Sequence, residues 1–203
     1  TTLAGSAGVA GSADGTGTAA NFHQPFGGEV DSAGNLFVAD GNNNTIRKIS
    51  PAGVVTTLAG QAGICGAVDG TGAGASFCFP TGIAINPGNG DLFVTDYGNA
   101  IIRKVTSAGV VTTVAGQLGV CGATDGFGAT ASFCAPWSIA RDPAGILYVT
   151  DESNRNIRPI NTATTAVNTD AGPKGALRTP NSPVGSSNGP GTSAGSGPPE
   201  AAA

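Results

Sequence analysis

The sequence has no methionine, a single histidine and few charged side chains, and each shortage narrows the range of possible functions. Only 11% of the 203 residues are charged, and the formal net charge is −4. Binding to the phosphate backbone of nucleic acids depends on clustered Lys and Arg, so a nucleic-acid partner is not expected. Without an apolar run of about 18 residues or a basic amphipathic stretch, we expect no membrane span and no helix lying on a bilayer.

The remaining absences concern chemistry and processing. Methionine is missing even at position 1, which predicts a processed or excised product, such as removal of a secretory signal would leave. His23 has no second histidine with which to form a metal cluster or proton relay, so a filler role in a loop is favoured over a ligand or base. The motifs G-x-S-x-G, H-E-x-x-H and the P-loop are also absent. We therefore expect a non-enzymatic protein without cofactor or metal.

Glycine and proline are abundant, with 34 and 13 residues, and they are arranged in a repeat. The string TTLAG begins at Thr1 and Thr56, and its variant TTVAG begins at Thr112, which divides the sequence into units of roughly 55 residues. Each unit contains short runs rich in Val, Ile, Thr and Phe between turn residues, such as "TGIAIN", "DLFVTD", "IIRKV" and "GVVTTVAG" in the second copy. Four short antiparallel strands per unit are typical of a β-propeller blade.

Residues 35–49, 91–105 and 146–160 resemble the NHL repeat, with the pattern G-x-L-F/Y-V-A/T-D-x-x-N-x-x-I-R-K-I. The resemblance extends over residues 1–172 and implies an all-β fold of three four-stranded blades, either an incomplete ring or half of a six-bladed propeller. It also implies that VTTLAG forms the outer edge of a blade and that the following glycine-rich loop crosses inward to the next blade. The third copy departs from the pattern at Pro159 and in "TTAVNTDAG", so its last strand is the weakest expectation.

The four cysteines fall in two of the crossing loops as C-x12-C. Cys65 and Cys78 lie in one loop, and Cys121 and Cys134 lie in the next, whereas the first copy has Ala10 and His23 at the equivalent positions. Because each pair is jointly present or jointly absent, pairing within each loop is favoured over the other two connectivities. Zinc is the rival interpretation, but this spacing is too long for one compact tetrahedral site. Disulfides predict an oxidising compartment, extracellular or periplasmic.

Acidic and basic residues recur once per unit. One acidic series lies in Asp-Gly-x-Gly, where an Asx turn is favoured over calcium because each loop offers a single carboxylate. A second acidic series closes the second strand of each blade, seven residues before an arginine, and predicts a blade-building turn hydrogen bond or Asp–Arg pair. The first series is Asp14, Asp69 and Asp125, the second is Asp40, Asp96 and Asp151, and the arginines are Arg47, Arg103 and Arg158.

Two further residues could face outward. Trp137 stands where the other copies have Phe26 and Thr81, and packing between blades is favoured over a binding surface. Asn43 begins the sequence Asn43-Asn44-Thr45 and is a possible N-glycosylation acceptor in a turn.

Three blades fall short of the usual minimum of roughly four blades per ring, so something must cover the two end faces. The residues Thr1, Thr2, Leu3, Ala4 and Gly5 form a possible assembly strand that could complete the third blade of a neighbour. Residues 173–203 are rich in Pro, Gly, Ser and Ala and predict a tail without a core. We therefore expect a secreted structural protein that self-associates into a ring or filament. A sensor or adhesion ectodomain that binds a protein or glycan is the alternative, and a propeller lyase or hydrolase is the weaker third possibility.

Overall fold

The computed structural model describes residues 1–169, which form three five-stranded antiparallel sheets in sequence order. The first sheet contains β1 (Gly15–Thr16), β2 (Pro25–Val30), β3 (Leu36–Asp40), β4 (Thr45–Ile49) and β5 (Val54–Gly60). The second contains β6 (Gly70–Thr71), β7 (Pro80–Ile85), β8 (Leu92–Asp96), β9 (Ile101–Val105) and β10 (Val110–Ala115). The third contains β11 (Gly126–Phe127), β12 (Pro136–Arg141), β13 (Ile146–Asp151), β14 (Asn156–Asn161) and β15 (Ala166–Val167).

Each sheet is one blade, which confirms the predicted all-β propeller with three blades. In the first blade the strand order is β1-β5-β4-β3-β2, and the other two blades repeat it. The sequence predicted four strands per blade, and the structure adds a fifth, two-residue strand at each outer edge. This extra strand comes from the glycine-rich crossing loop, which pairs briefly with the outer strand before it turns inward.

Short 3₁₀ turns punctuate every blade. Three of them follow the extra strands, and the other two connect β3 to β4 and β8 to β9. Their bounds are Gly17–Ala19, Gly41–Asn43, Gly72–Gly74, Tyr97–Asn99 and Gly128–Thr130. The two connecting turns end on Asn44 and Ala100, both with a left-handed φ of 58°, which reverses the chain within one residue.

The hydrophobic core lies between blades rather than within them. One cluster joins Phe37, Ile46 and Ala59 of the first blade to the second blade, where Phe77 and Leu92 are completely buried. The same arrangement joins the second blade to the third, and it includes Phe93, Ile102, Phe133 and Leu147. Each blade buries its apolar faces only against its neighbours, so the second blade depends on both the first and the third for its stability.

The inner strands β2, β7 and β12 pack side by side along the axis. A Cβ atom on Gly27 would lie 2.7 Å from the carbonyl oxygen of Thr81, so the first two inner strands can approach this closely only because Gly27 has no side chain. Thr81 Oγ1 in turn donates to the carbonyl oxygen of Trp137 at 2.6 Å. The three blades are thus held together at the axis by backbone contacts as well as by the core.

The outer strand of the third blade is short, as its divergent sequence predicted. β15 has two residues, whereas β5 has seven and β10 has six. Beyond β15 the chain nevertheless follows the same path as in the other blades, because Asn168 N donates to the carbonyl oxygen of Pro159 and Thr169 Oγ1 donates to Asp125. Thr57 and Thr113 make the same hydroxyl contact with Asp14 and Asp69.

The place of residues 1–5 bears on the predicted strand exchange, which stays a prediction. By alignment of the repeats, Thr2 corresponds to Thr57 and Thr169, so the place that Thr2 would take in a neighbour's third blade is already filled by that blade's own Thr169. Residues 1–5 form no strand in the structure. They lie instead along the first blade, where Gly5 N donates to the carbonyl oxygen of Gly17 at 3.0 Å. The predicted tail, residues 173–203, lies outside the described residues.

Candidate functional site

A buried arginine stands at the centre of every blade. Arg103 is fully buried and donates to Asp96 at 3.0 Å and to Asp69 at 2.7 Å. It also donates to the carbonyl oxygens of Ser76 and Val68, and its guanidinium lies 5.2 Å from the ring centroid of Phe77. The first and third blades repeat this cluster with Arg47, Asp40 and Asp14, and with Arg158, Asp151 and Asp125.

In each blade, this cluster places one aspartate of each predicted series beside the same arginine. Asp96 also accepts hydrogen bonds from the Cys78 backbone and from Asn99, so it ties the crossing loop to the turn between the second and third strands. Burial raises the pKa of Asp96 to about 6, against the opposing effects of Asn99, the Cys78 backbone and Arg103. Burial likewise raises the pKa of Asp151 to about 6.

The carboxylates of the Asp-Gly-x-Gly series are partners of arginine rather than caps of their own turns. Asp14 binds Arg47 Nη2 at 2.8 Å and accepts from both the backbone and the hydroxyl of Thr57. The Asx-turn interpretation therefore misses their main contacts. The same contacts occupy the weak calcium candidates Asp14, Asp69 and Asp125, and within residues 1–169 no three His, Cys, Asp or Glu side chains are grouped to hold a metal ion.

The cysteines are joined within their own loops. Cys65 is bonded to Cys78 and Cys121 to Cys134, with Cα–Cα distances of 4.4 and 4.3 Å. In the first loop the same closure is made without sulfur, since Ala10 still pairs with Phe22 as Cys65 pairs with Phe77. His23 lies in this loop, where its ring nitrogen contacts the amide of Asn42 at 3.3 Å.

Asn43 is not presented for glycosylation by the folded blade. Its side-chain amide donates to Asp40 and to the carbonyl oxygen of Gly11, both at 2.7 Å, and only 7% of the residue is exposed. Asn99 and Asn154 make the equivalent contacts in the other blades. Asn43 is therefore a structural turn residue of the folded blade.

Blades are joined by a turn that fits into a groove. The turn of the first blade that ends at Asn44 reaches the crossing loop of the second blade, where Gly63 N donates to the Asn43 carbonyl at 3.2 Å. Phe79 N donates to Asn44 Oδ1 at 2.8 Å. The next junction repeats the first of these contacts, with Gly119 N donating to the Asn99 carbonyl at 3.0 Å.

The first blade has this groove without a turn in it. A groove of about 560 Å³ is lined mainly by the segments 4–10 and 22–25, which correspond to 59–65 and 77–80 in the second blade. Beneath it lies the third cluster of apolar residues, Ala20, Val38, Ile49 and Val55, with Ala4, Phe22 and Leu36 packed against it. Phe22 and Leu36 are only partly buried, whereas their equivalents Phe77, Phe133, Leu92 and Leu147 are fully buried. We call this surface the front face.

The opposite end of the array carries the other half of an inter-blade contact, which we call the rear face. On the third blade, Tyr148, Thr150 and Ile157 stand where the first blade has Phe37, Ala39 and Ile46. Tyr148 is 36% exposed, whereas Phe37 is 4% exposed beneath the second blade. Asn154, which corresponds to Asn43 and Asn99, lies in the turn beside this face.

Trp137 belongs to a cluster of four aromatic rings at the axis. Phe26 of the first blade, Phe79 and Tyr97 of the second and Trp137 of the third form a closed circuit of edge-to-face contacts, with centroids 5.1–5.7 Å apart. Trp137 therefore does contact the other blades, as its predicted packing role requires, yet it remains 38% exposed. The sequence identified only one of these four residues as a candidate.

The architecture defines the class of this protein as a β-propeller. Residues 77–104 match the family described as NHL repeat, and this segment contains Arg103 and Asp96 of the second blade. The chain thus carries an NHL repeat within a three-blade array, as its sequence predicted.

Known proteins are similar to this chain in part of its sequence or in its fold. Over 93 residues, the chain is 38% identical to Protein SUPPRESSOR OF QUENCHING 1, chloroplastic, of Arabidopsis thaliana, a match that covers 45% of this chain and 9% of the plant protein. A solved auxiliary nutrient binding protein from Bacteroides thetaiotaomicron is 24% identical with a TM-score of 0.59, covering 70% of this chain and 36% of that one. A solved streptogramin B lyase is 20% identical with a TM-score of 0.53, covering 73% and 40%. The chain thus spans less than half the length of each of these proteins.

Among residues 1–169, no helix has the length and apolar character needed to cross a membrane.

Proposed function

We propose that this chain is a non-enzymatic NHL-repeat propeller that self-associates through its end blades, with the rear face of one copy packed on the front face of another. Such a head-to-tail contact builds a six-bladed ring if two copies close and a filament if they do not. The half-built core on the front face carries the proposal, because the same core is completed twice within the chain. The two disulfides support secretion into an oxidising compartment, where such a structural component would act.

The proposed contact follows the two junctions already present. By analogy with them, the turn that contains Asn154 enters the groove of the second copy, and its carbonyl oxygen accepts from Gly8 N, the equivalent of Gly63 N and Gly119 N. Tyr148 and Ile157 then cover Phe22 and Leu36. Burial of these apolar side chains favours association by about 25 cal/mol for each Å² removed from water.

The N-terminal segment adds a further contact to this proposal. By alignment of the repeats, Leu3, Ala4 and Gly5 take the places that follow Thr169 in an outer strand. In the docked pair they would therefore continue the outer strand of the neighbour's third blade from the point where Thr169 leaves it. The proposed strand addition therefore involves residues 3–5 rather than residues 1–5, because Thr169 already fills the place that Thr2 would take.

The experiment uses one charge on each face. The variants Leu36→Asp (front) and Ile157→Asp (rear) are compared with Val68→Asp, which adds the same charge to a 61% exposed residue of a crossing loop. Light scattering of the unmodified chain is expected to give at least twice the chain mass of 19.5 kDa. Each face variant alone is expected to be monomeric, and Val68→Asp is expected to assemble normally.

Mixing the two face variants tests the head-to-tail geometry, and it also tests whether each variant is folded. The Ile157→Asp chain keeps an intact front face and the Leu36→Asp chain keeps an intact rear face, so the mixture is expected to form dimers that neither variant forms alone. A monomeric mass for the unmodified chain would overturn the proposal. Dimers of Ile157→Asp alone would instead indicate that two front faces pair with each other.

A second candidate function is supported by one observation. The aromatic cluster around Trp137 is partly exposed and includes residues of all three blades. Such a surface is suited to binding, which favours the sensor or adhesion alternative. An enzymatic role has less support in this chain, because it has only one histidine.

A further inference from the structure

The three repeats differ from one another most conspicuously at the end of the axis where the inner strands begin. Three positions of the repeat show this difference. In the first, second and third repeats in turn, one position holds Gln24, Phe79 and Ala135, another holds Phe26, Thr81 and Trp137, and the last holds Gly41, Tyr97 and Glu152. By contrast, the arginine clusters and the residues between blades are nearly the same in every copy. Residues that recur in each blade build the blade, whereas residues that occur once and converge in space are candidates for binding.

The four aromatic residues among these positions form one surface. Phe26 contacts Phe79 and Trp137, and Tyr97 contacts the same two rings, with interplanar angles of 63–88°. Gly41 makes room for this arrangement, because a Cβ atom there would lie 2.6 Å from the ring of Phe26. The circuit is not a closed core, since Phe26 and Trp137 remain 37% and 38% exposed.

Two polar groups at the edge of the cluster are available to a ligand. Within residues 1–169, neither the hydroxyl of Tyr97 nor the indole N–H of Trp137 takes part in a hydrogen bond. The backbone of Trp137 is nevertheless fixed, since Thr81 and Thr95 both donate to its carbonyl oxygen at 2.6 and 3.0 Å. The cluster therefore presents rigid apolar rings together with two donors.

These features fit a proline-containing extended peptide. The rings meet edge to face at 63–88°, so they present no single flat face. A pyrrolidine ring can pack among such rings, whereas a sugar stacks best on a flat aromatic face. A polyproline II segment makes no internal hydrogen bonds, so its carbonyl oxygens can accept from a tyrosine hydroxyl and an indole N–H. Aromatic-lined grooves recognise such segments because the segments are ordered before binding.

The chain itself contains a segment of this composition. Six of its 13 prolines lie in residues 173–199, and the last two are Pro198 and Pro199. Thr169 follows the outer strand β15 of the third blade, and this strand is three strand spacings, or about 15 Å, from the inner strand β12. The residues between Thr169 and Pro198 can span up to about 90 Å, since an extended chain advances roughly 3.3 Å per residue. We propose that the aromatic cluster binds this proline-rich segment of the chain.

The experiment exploits the fact that Trp137 is the only tryptophan. The full chain is compared with the triple variant Pro190→Ala/Pro198→Ala/Pro199→Ala, and with Pro87→Ala, which changes a proline near the opposite end of β7. If the segment binds the cluster, the triple variant shifts Trp137 emission to longer wavelength and raises its quenching by acrylamide. Pro87→Ala leaves both unchanged, and adding a synthetic peptide of residues 186–200 to the triple variant reverses both changes.

Two outcomes of these measurements would contradict binding of the proline-rich segment. Identical emission and quenching in the full chain and the triple variant would overturn the proposal. It would also be overturned if cellohexaose, but not the peptide, shifted the emission, because the cluster would then be a glycan site. The substitutions of the triple variant lie outside the three blades, whereas Pro87 lies between β7 and β8 of the second blade, and circular dichroism of each variant verifies that the blades are intact.

Discussion

Asp69 in the crossing loop lies 2.7 Å from Arg103 in the third strand of its blade, 34 residues away in the chain. The same carboxylate accepts from the backbone and hydroxyl of Thr113 in the outer strand. One ion pair therefore connects the loop, the middle and the edge of the blade. This connection explains why an aspartate recurs in each copy 33 or 34 residues before the buried arginine.

The two carboxylates of this cluster should differ in their effect on stability. Replacing Arg103 by Ala leaves buried Asp96 without its cation and is expected to lower the free energy of unfolding by about 3–5 kcal/mol. Asp69→Asn is expected to cost only about 1 kcal/mol, because 51% of the Asp69 side chain is exposed. Urea denaturation followed by circular dichroism measures both. Equal losses for the two variants would contradict the central place of Arg103.

The raised pKa values predict an unusual dependence on pH. Asp96 and Asp151 have folded pKa values of about 6 against 3.8 for the ordinary carboxyl, so the folded state binds protons more tightly than the unfolded state. Their contribution to stability is fully present below pH 3.8 and is lost as the pH rises through 6. The denaturation midpoint is therefore expected to rise, or at least not to fall, when the pH is lowered from 7 to 5.

The control for this effect is the Asp96→Asn variant. It should show about half of the pH dependence, since only Asp151 remains. The carboxyl carbon resonances of both residues should titrate near pH 6. Titration midpoints below pH 4, together with a loss of stability on acidification, would show that the arginines rather than burial determine the pKa values of these carboxyl groups.

Much of the fold could be predicted from the sequence because the signals repeat. Three copies of the same strand and turn pattern predicted three blades, and recurrence of Asp96 and Arg103 in every copy predicted a structural pair. The fifth strand escaped prediction because its two residues, such as Gly70 and Thr71, have no strand pattern of their own. The burial of Asn43 also escaped, since it depends on contacts with Gly11 from another part of the chain.

The aromatic cluster shows a different limit of sequence reasoning. Phe26 and Trp137 occupy equivalent positions in the first and third repeats, whereas Phe79 and Tyr97 occupy two other positions, so the repeat spacing does not predict that all four meet. They meet only because the inner strands converge on one axis. The useful signal was the departure of Trp137 from its repeat, which indicated that this position does something the other blades do not require.

The disulfides are expected to stabilise the crossing loops without being needed for their shape. The double variant Cys65→Ala/Cys78→His copies the first loop, which closes without a bridge, so the second blade should still fold. By the loop-entropy argument, the loss of a bridge around 14 residues lowers the free energy of unfolding by about 3 kcal/mol. Guanidinium denaturation without reductant measures this loss, and an unchanged midpoint would contradict it.

A thiol assay provides the control for the pairing itself. The denatured, unreduced protein should contain no free thiols, because all four cysteines are bonded in the structure. The double variant should also contain none, since Cys121 and Cys134 remain paired. Four thiols in the unmodified protein would contradict both bridges.

Three glycines with similar backbone angles test how residues 1–5 lie in solution. Gly63 has a φ of +78° and open space around it, whereas Gly109 has a φ of +77° and its Cβ would lie 2.6 Å from the carbonyl oxygen of Leu58. Gly63→Ala should therefore cost about 1–2 kcal/mol for the left-handed backbone alone. Gly109→Ala should cost about 1–3 kcal/mol more, because the backbone must move to relieve the clash.

Gly53 is the informative third position, with a φ of +76° and a Cβ position 2.8 Å from the carbonyl oxygen of Leu3. If Leu3 stays against the first blade, Gly53→Ala should cost as much as Gly109→Ala in thermal or urea denaturation. If the segment detaches, the clash disappears and the cost should equal that of Gly63→Ala. The proposed contribution of residues 3–5 to a neighbour's outer strand requires the first result, because a detached segment would have to be ordered before it could add to that strand.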